Sequence, residues 1–197
     1  MRSSLKAQRD EVLFEFFKSE LAILMQQAEQ EQIDLYFFDE SGFNLNPNVP
    51  YSWSLKGQQA CLPAQRSSGY TVVGLLNVQQ QHFQGNIYEG AANSDCVIQV
   101  LDELAKQCTK KTIVIMDNAT IHTANKVKQM ANKWKEQQLF LQFIPAYCPE
   151  LNLIEVLWKM MKHYWIKVEN CKSLTQLQNE IIRILNSYGK DYLINFG

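Results

Sequence analysis

The sequence predicts an α/β protein, a mixed sheet of about five strands with helices on both faces. Three observations carry this. Between Ile113 and Ile144 an apolar run, a helical pattern and a second apolar run follow one another, the order of a parallel crossover. Upstream, Tyr70–Val78 and His82–Tyr88 flank the short turn Gln79–Gln81, the pattern of an antiparallel hairpin. Amphipathic helical stretches stand before, between and after these runs, enough to cover a sheet on two sides.

The elements can be justified in order. Residues 5–31 contain no Gly or Pro and repeat Leu13, Phe16, Phe17, Leu21 and Leu24 at helical spacing, which predicts a helix. Ile33–Phe38 is a β-prone run that meets an acid at Asp39. Asn46–Pro50 is a turn cluster, and Tyr51–Trp53 reads as a short strand ending near Lys56-Gly57. After the hairpin, Ser94 is the expected N-cap of a helix with Val97, Ile98, Leu101 and Leu104 on its buried side. Ile113–Met116 suits a strand buried on both faces and again ends on acid and amide, Asp117-Asn118. Val127, Met130, Ala131 and Trp134 mark the next helix, and Leu139–Ile144 the next strand. Pro145 and Pro149 bracket a loop. From Glu150 a long helix is expected, with Leu151, Ile154, Leu157, Trp158, Met161 and Trp165 as its buried stripe. A last helix runs from about Leu174 to Tyr188, with Leu177, Ile181 and Leu185 inward. There are no internal repeats and no low-complexity linker, so residues 31–197 read as one domain and residues 1–30 as an N-terminal helix or connector.

Composition narrows the class. The chain has 197 residues, 46% hydrophobic and 20% charged, which is ordinary for a folded domain. Its net charge of −1 gives no global basic field. No apolar run approaches the roughly 20 residues of a membrane span. The five cysteines are widely spaced with no Cys-x-x-Cys pair, which fits a reducing, cytoplasmic compartment. The three histidines show no zinc spacing.

The acids are the chemical signal. Asp39 and Asp117 each follow an apolar strand without a gap, at the end of the strand where open α/β sheets carry their sites. Side by side, they would repel unless a cation lay between them. Oxygen-only ligation suits a hard ion such as Mg²⁺ or Mn²⁺. Glu155, in the first turns of the helix after Pro149, is the candidate third acid. Asn152, Glu155, Lys159 and Lys162 form one polar line beside the apolar stripe. Taken singly, Asp117 also suits a helix cap and Glu155 an exposed helix start. Glu40 and Glu150 are rivals for the third place, and Glu40 should face away from Asp39 if the strand continues.

Three segments together carry a resemblance: Leu35 to Phe43 around Asp39, Ile115 to His122 around Asp117, and Ile144 to Trp158 around Glu155. They resemble the catalytic domain of DDE transposases, in particular the bacterial insertion sequence 630 family of the mariner-related superfamily. The likeness covers most of residues 30–167. It implies a ribonuclease-H-like fold, and a transposase that cleaves DNA and transfers strands during insertion-sequence transposition. It further implies that Asp39, Asp117 and Glu155 are both the catalytic residues and the metal ligands, holding two Mg²⁺ or Mn²⁺ ions. Asn118, His122, Asn152, Lys159 and Lys162 would then support these ligands or contact DNA. The partners implied are element-end and target DNA, with a homodimer or a separately encoded helix-turn-helix protein, in the bacterial cytoplasm and on the nucleoid when bound to DNA.

The chain departs from the family in places. Leu153 stands where relatives commonly have Pro, and Cys148 where they commonly have Ser. The 37 residues between Asp117 and Glu155 exceed the usual mariner spacing by a few. Residues 1–30 do not read as a helix-turn-helix, so the chain is expected to be the catalytic part of a split or truncated reading frame. Two other readings share these features: a nuclease of the same fold acting on another substrate, and a catalytically silent fragment acting as an assembly or inhibitory partner.

Overall fold

The structure, a computed structural model, describes residues 9–45 and 69–196. The turn expected at Asn46–Pro50 and the strand expected at Tyr51–Trp53 lie outside these residues. Five strands form one sheet: β1 (Asp34–Asn44), β2 (Gly69–Asn77), β3 (His82–Glu89), β4 (Thr112–Met116) and β5 (Leu139–Phe143). Their spatial order is β3-β2-β1-β4-β5. The first three pair antiparallel, whereas β4 runs parallel to β1 and β5 parallel to β4. The expected mixed sheet, hairpin and parallel crossover are all present.

Helices cover both faces. α1 (Glu11–Glu29), α4 (Ile154–Met160) and α5 (Leu174–Asn186) pack on one, against Leu35, Phe37, Leu76, Ile113 and Ile115. α2 (Ser94–Ala105) and α3 (Asn125–Glu136) pack on the other, against Phe38, Leu75, Val114 and Met116. Successive residues of a strand thus enter different cores, as the period of two requires. All five residues of β4 are buried, which is why its sequence shows no polar alternation. The Trp134 indole N–H donates to Asp102 at 2.6 Å and ties α3 to α2.

Four local expectations need correction. The inward face of α1 is Phe14 and Ala28, with Phe17, Leu21, Leu24 and Met25 packed beside them. Leu13 and Phe16 point outward, 42% and 57% exposed. The helix is apolar on more than one side, so periodicity alone could not choose the buried one. The N-cap of α2 is Asn93, whose side chain accepts from the N–H groups of Asp95 and Cys96, and Ser94 is the first helical residue. Two good caps stood next to each other, and the one with the longer reach took the position. The helix expected from Glu150 is broken: Pro149–Leu151 form a 3₁₀ turn, Asn152 is extended, and the regular helix begins at Ile154. It then widens into a π turn over Met161–Trp165. Trp165 is only partly buried against the same core, its ring centre 4.7 Å from that of Tyr192. In α5, Ile184 is buried and Leu185 only partly so.

One close approach prepares the site. Gly74 of β2 pairs with Asp39 of β1 on one side and with Gly85 of β3 on the other. With no side chain at Gly74, the Phe83 ring occupies the space its Cβ would take. That ring meets Trp158 edge-on at 5.8 Å. Gly74→Ala is therefore expected to push Phe83 off Trp158 and destabilise the fold by about 1–3 kcal/mol. Gly42→Ala, where a Cβ meets nothing within 4 Å, should change stability far less. Thermal melting of the two variants checks this, and equal melting temperatures would contradict it.

Candidate active site

β1 changes partners along its length. Residues Asp34–Phe37 pair with β4, and the strand then continues to Asn44 with β2 alone. Phe37 lies opposite Ile115 in the parallel register. Asp39 and Asp117 are each two residues further on, where β4 has ended and the sheet opens. The parity of the strands puts the Asp39 side chain on the α4 face, and the site sits at the carboxyl ends of the two parallel strands.

Asp39 is buried. Its Oδ2 accepts the Trp158 indole N–H at 3.1 Å. Burial, then the charges of Glu155, Glu40 and Asp117, push its pKa up to about 8. Asp117 has the opposite environment. Its Oδ1 takes the His122 Nδ1–H at 2.6 Å and the Ala119 N–H at 2.9 Å. The histidine bond above all holds this carboxyl below its ordinary range, against some burial.

Glu155 reaches the cleft from the first turn of α4. It is exposed by area, yet surrounding protein holds its carboxyl above its usual value; Lys162 pulls it down, and Asp117 and Glu40 add to the rise. Asn152 fixes where this helix starts. Its Nδ2–H donates to the Phe38 carbonyl at 2.9 Å, and its own carbonyl caps the turn by accepting the Glu155 N–H at 3.0 Å. Asn152 is buried, and its Oδ1 has no hydrogen-bond partner among the described residues. Asp117, Asn152 and Glu155 line one cleft of about 600 Å³, whose other wall is Ile144 to Pro149.

The remaining sequence candidates are placed as follows. Asn118 donates to the Ile144 carbonyl at 2.7 Å, joining the ends of β4 and β5. Lys162 sits in the π turn with its ammonium 5.4 Å from the Phe43 ring centre. Burial lowers its pKa, while Glu155 and Asp39 draw it back up. Lys159 is exposed on α4.

His122 is fully buried, its ring edge-on to Phe38 at 5.2 Å. Its Nε2–H donates to Glu40 at 2.7 Å. Burial opposes charge on the ring, but the hydrogen bonds to Asp117 and Glu40 outweigh it and push its pKa up to about 10. Asp39, Glu40 and His122 offer ligand atoms within 4.8 Å of one another. Both His122 nitrogens, however, are engaged by carboxylates, Nδ1 by Asp117 and Nε2 by Glu40, and a nitrogen that donates a proton has no lone pair for a metal. Carboxylate oxygens are the donors a hard divalent ion prefers, and Asp39, with its pKa raised first by burial and then by the neighbouring acids, carries no compensating cation in hydrogen-bond contact among the described residues.

Two groups were not legible in advance as parts of the site. Glu40 brings its carboxylate within 4.8 Å of ligand atoms of Asp39 and His122, and nothing in the sequence shows that His122 lies there to meet it. Trp158 reads as a core residue, and only the fold shows its N–H on Asp39.

The sheet order and the helices on both faces define a ribonuclease-H-like fold, the fold shared with solved transposase and retroviral intasome structures. The chain belongs to the DDE superfamily endonuclease family, which it matches over residues 34–178. It is 26% identical over 161 residues to the insertion element IS630 uncharacterized 39 kDa protein of Shigella sonnei, an alignment covering 75% of this chain and 43% of that protein. The chain thus spans less than half the length of this curated relative. Among solved structures it is similar to the Mos1 strand transfer complex, with TM-score 0.56 at 17% identity, covering 93% of this chain and 56% of that one. It is also similar to the simian T-cell lymphotropic virus intasome in complex with a PP2A regulatory subunit, with TM-score 0.57 at 11% identity, covering 83% and 50%. Among the described residues no helix is long and apolar enough to cross a membrane.

Asp39 titrates near 3.8 when free and at about 8 in the fold, so the folded state holds its proton more tightly than the unfolded chain does. The stability this contributes is complete below about pH 4 and is lost as pH rises through about 8. In chelator-treated protein, Asp39→Asn should therefore melt progressively higher than wild type from pH 4 to pH 8, the gap opening by a few °C. Melting curves of the two proteins across that range are the measurement; a gap that does not change with pH counts against an uncompensated carboxylate at Asp39.

Proposed function

We propose that this chain is the catalytic part of an insertion-sequence transposase, cleaving DNA and transferring strands with two divalent ions, Mg²⁺ or Mn²⁺, held by Asp39, Asp117 and Glu155. The observation that carries the reading is that Asp117 and Glu155 line one cleft while the buried carboxyl of Asp39 beside them has its pKa raised to about 8 by burial and then by the neighbouring acids Glu155, Glu40 and Asp117. When bound, such an ion pair activates the attacking hydroxyl of water or a DNA 3′ end and stabilises the leaving oxygen of the phosphodiester. The protein's part is to hold and orient. Asp117, pinned by His122, lines the cleft after β4, and Asp39, pinned by Trp158, lies buried on the neighbouring strand β1. Glu155 closes the third side from a helix start anchored by Asn152. No Ser, Cys or Tyr nucleophile is required.

The cleft also suits a nucleotide. Its acid end would receive a phosphate through the ions, and the wall of Ile144, Pro145, Ala146 and Tyr147 offers apolar surface to a sugar or base. Lys162 and Lys159 follow on the same helical stretch and would meet flanking phosphates. The similar Mos1 structure is a strand transfer complex, which favours DNA as the substrate. In this reading residues 31–197 are the catalytic unit and residues 1–30 a connector. Recognition of element ends falls to a helix-turn-helix partner or to a homodimer, in the bacterial cytoplasm.

The test is nicking of DNA carrying the element ends, with Mn²⁺ or Mg²⁺ and with chelator. Wild type should nick only with metal. Asp117→Asn should lose more than the roughly 10–100-fold typical of outer-shell changes. Equal nicking by Asp117→Asn would refute the assignment, and cleavage of an RNA–DNA hybrid in place of element ends would move the substrate.

A further inference from the structure

Asp39 and Glu40 are consecutive on β1, and their carboxylates and the His122 ring come within 4.8 Å of one another. Asp39 joins the acid cluster. Glu40 meets His122, whose ring stands edge-on to Phe38 and whose other nitrogen reaches Asp117. Asp117 Oδ1 takes both the His122 Nδ1–H and the Ala119 N–H. Among the described residues, no hydrogen bond falls on its Oδ2, which is the oxygen left for the cleft.

We propose that Glu40 and His122 are positioning residues for the metal site: Glu40 fixes the imidazole, and the imidazole fixes the Asp117 carboxylate so that one oxygen is spent and the other is presented to the ion. This rests on the metal reading of Asp39, Asp117 and Glu155 given above. The physical reason is the freedom that would otherwise remain. A carboxylate at a strand end, half open to solvent, turns about its side-chain bonds, and the Ala119 N–H alone holds it at one point. The Nδ1–H adds a second bond on the same oxygen from another direction and narrows that freedom. An imidazole held at one nitrogen could itself tilt, and Glu40 removes that tilt. Because Glu40 belongs to β1, the orientation of Asp117 is referred to the strand that carries Asp39. The spacing between the two principal ligands is thereby set by one rigid element rather than by the loop after β4. Such outer-shell orientation commonly carries a 10–100-fold share of metal affinity.

The experiment measures Mn²⁺ binding to the intact chain by electron paramagnetic resonance, beside thermal melting and nicking at several Mn²⁺ concentrations. Glu40→Ala should weaken Mn²⁺ binding by about 10–100-fold. Its nicking should recover toward wild type when Mn²⁺ is raised, a change in metal requirement rather than in maximal rate. Glu40→Gln, whose amide oxygen still accepts the Nε2–H, should bind Mn²⁺ within a few-fold of wild type. If Glu40→Ala does not fold, His122→Phe, which fills the ring's volume without either nitrogen, makes the same comparison and should show the same weakening. A Glu40→Ala protein that melts lower but binds Mn²⁺ like wild type has lost only structure, and the proposal fails. Wild type that binds no Mn²⁺ overturns the metal reading and this proposal together, whereas equal binding by wild type and Glu40→Ala overturns this proposal alone.

Discussion

The constraint on which the rest of the molecule depends is the repulsion among Asp39, Glu40, Asp117 and Glu155 at the open end of the central strands. Two like charges about 4 Å apart interact by roughly 4 kcal/mol at the effective dielectric of a protein surface. His122 compensates Glu40 and Asp117, and Lys162 draws on Glu155 and Asp39. The balance is uneven. Asp117 lies below its ordinary pKa range, while Asp39 is held up at about 8. Glu155 is also held above its usual value, but the largest rise falls on buried Asp39, and the surrounding structure has to offset the cost when that carboxyl ionises.

That offset comes from packing built directly against the cost. Trp158 is almost wholly buried and donates to Asp39. Burying a tryptophan of roughly 150–250 Å² contributes about 4–6 kcal/mol, comparable to the several kcal/mol that an ill-compensated buried charge costs. Phe43 and Phe83 hold the indole edge-on at 6.2 and 5.8 Å. Phe83 can do so because Gly74 leaves it room. A backbone glycine on β2 thus supports a carboxylate on β1 through two aromatic rings, without any polar contact of its own.

The sequence shows some of this and hides the rest for physical reasons. Strand alternation and the parallel crossover are local properties of β1, β4 and β5, so the sheet and the positions of Asp39 and Asp117 could be read from residue order. Glu155 could be read only with its neighbours, because a helix-start Glu is common for dipole reasons alone. The break at Asn152 was not legible: Pro149 permits a helix to begin there, and what stops it is a hydrogen bond to Phe38, which is 114 residues away. The inward face of α1 was not legible either, since Phe14 and Phe16 are chemically alike and only the sheet's shape distinguishes them. His122 could be placed near Asp117 by its spacing, but its second partner belongs to another strand and left no mark in the pattern.

Three consecutive residues of β1 are tied, directly or through one neighbour, to all three carboxylates of the site. The Phe38 carbonyl takes Asn152 and so sets the start of the helix that carries Glu155, while its ring packs against His122. Asp39 takes Trp158 from that same helix. Glu40 takes His122 and through it Asp117. A one-residue slip of β1 against β4 would exchange the faces of all three. The carboxylate would then meet the α2–α3 core, and the residue after it would face Trp158. Register is well specified in this sheet because both faces are buried: Phe37 and Phe38 enter different cores and neither has a polar alternative. The apolar run before Asp39 is therefore more than a strand signal, because it keeps in register the three residues to which both sides of the site are tied.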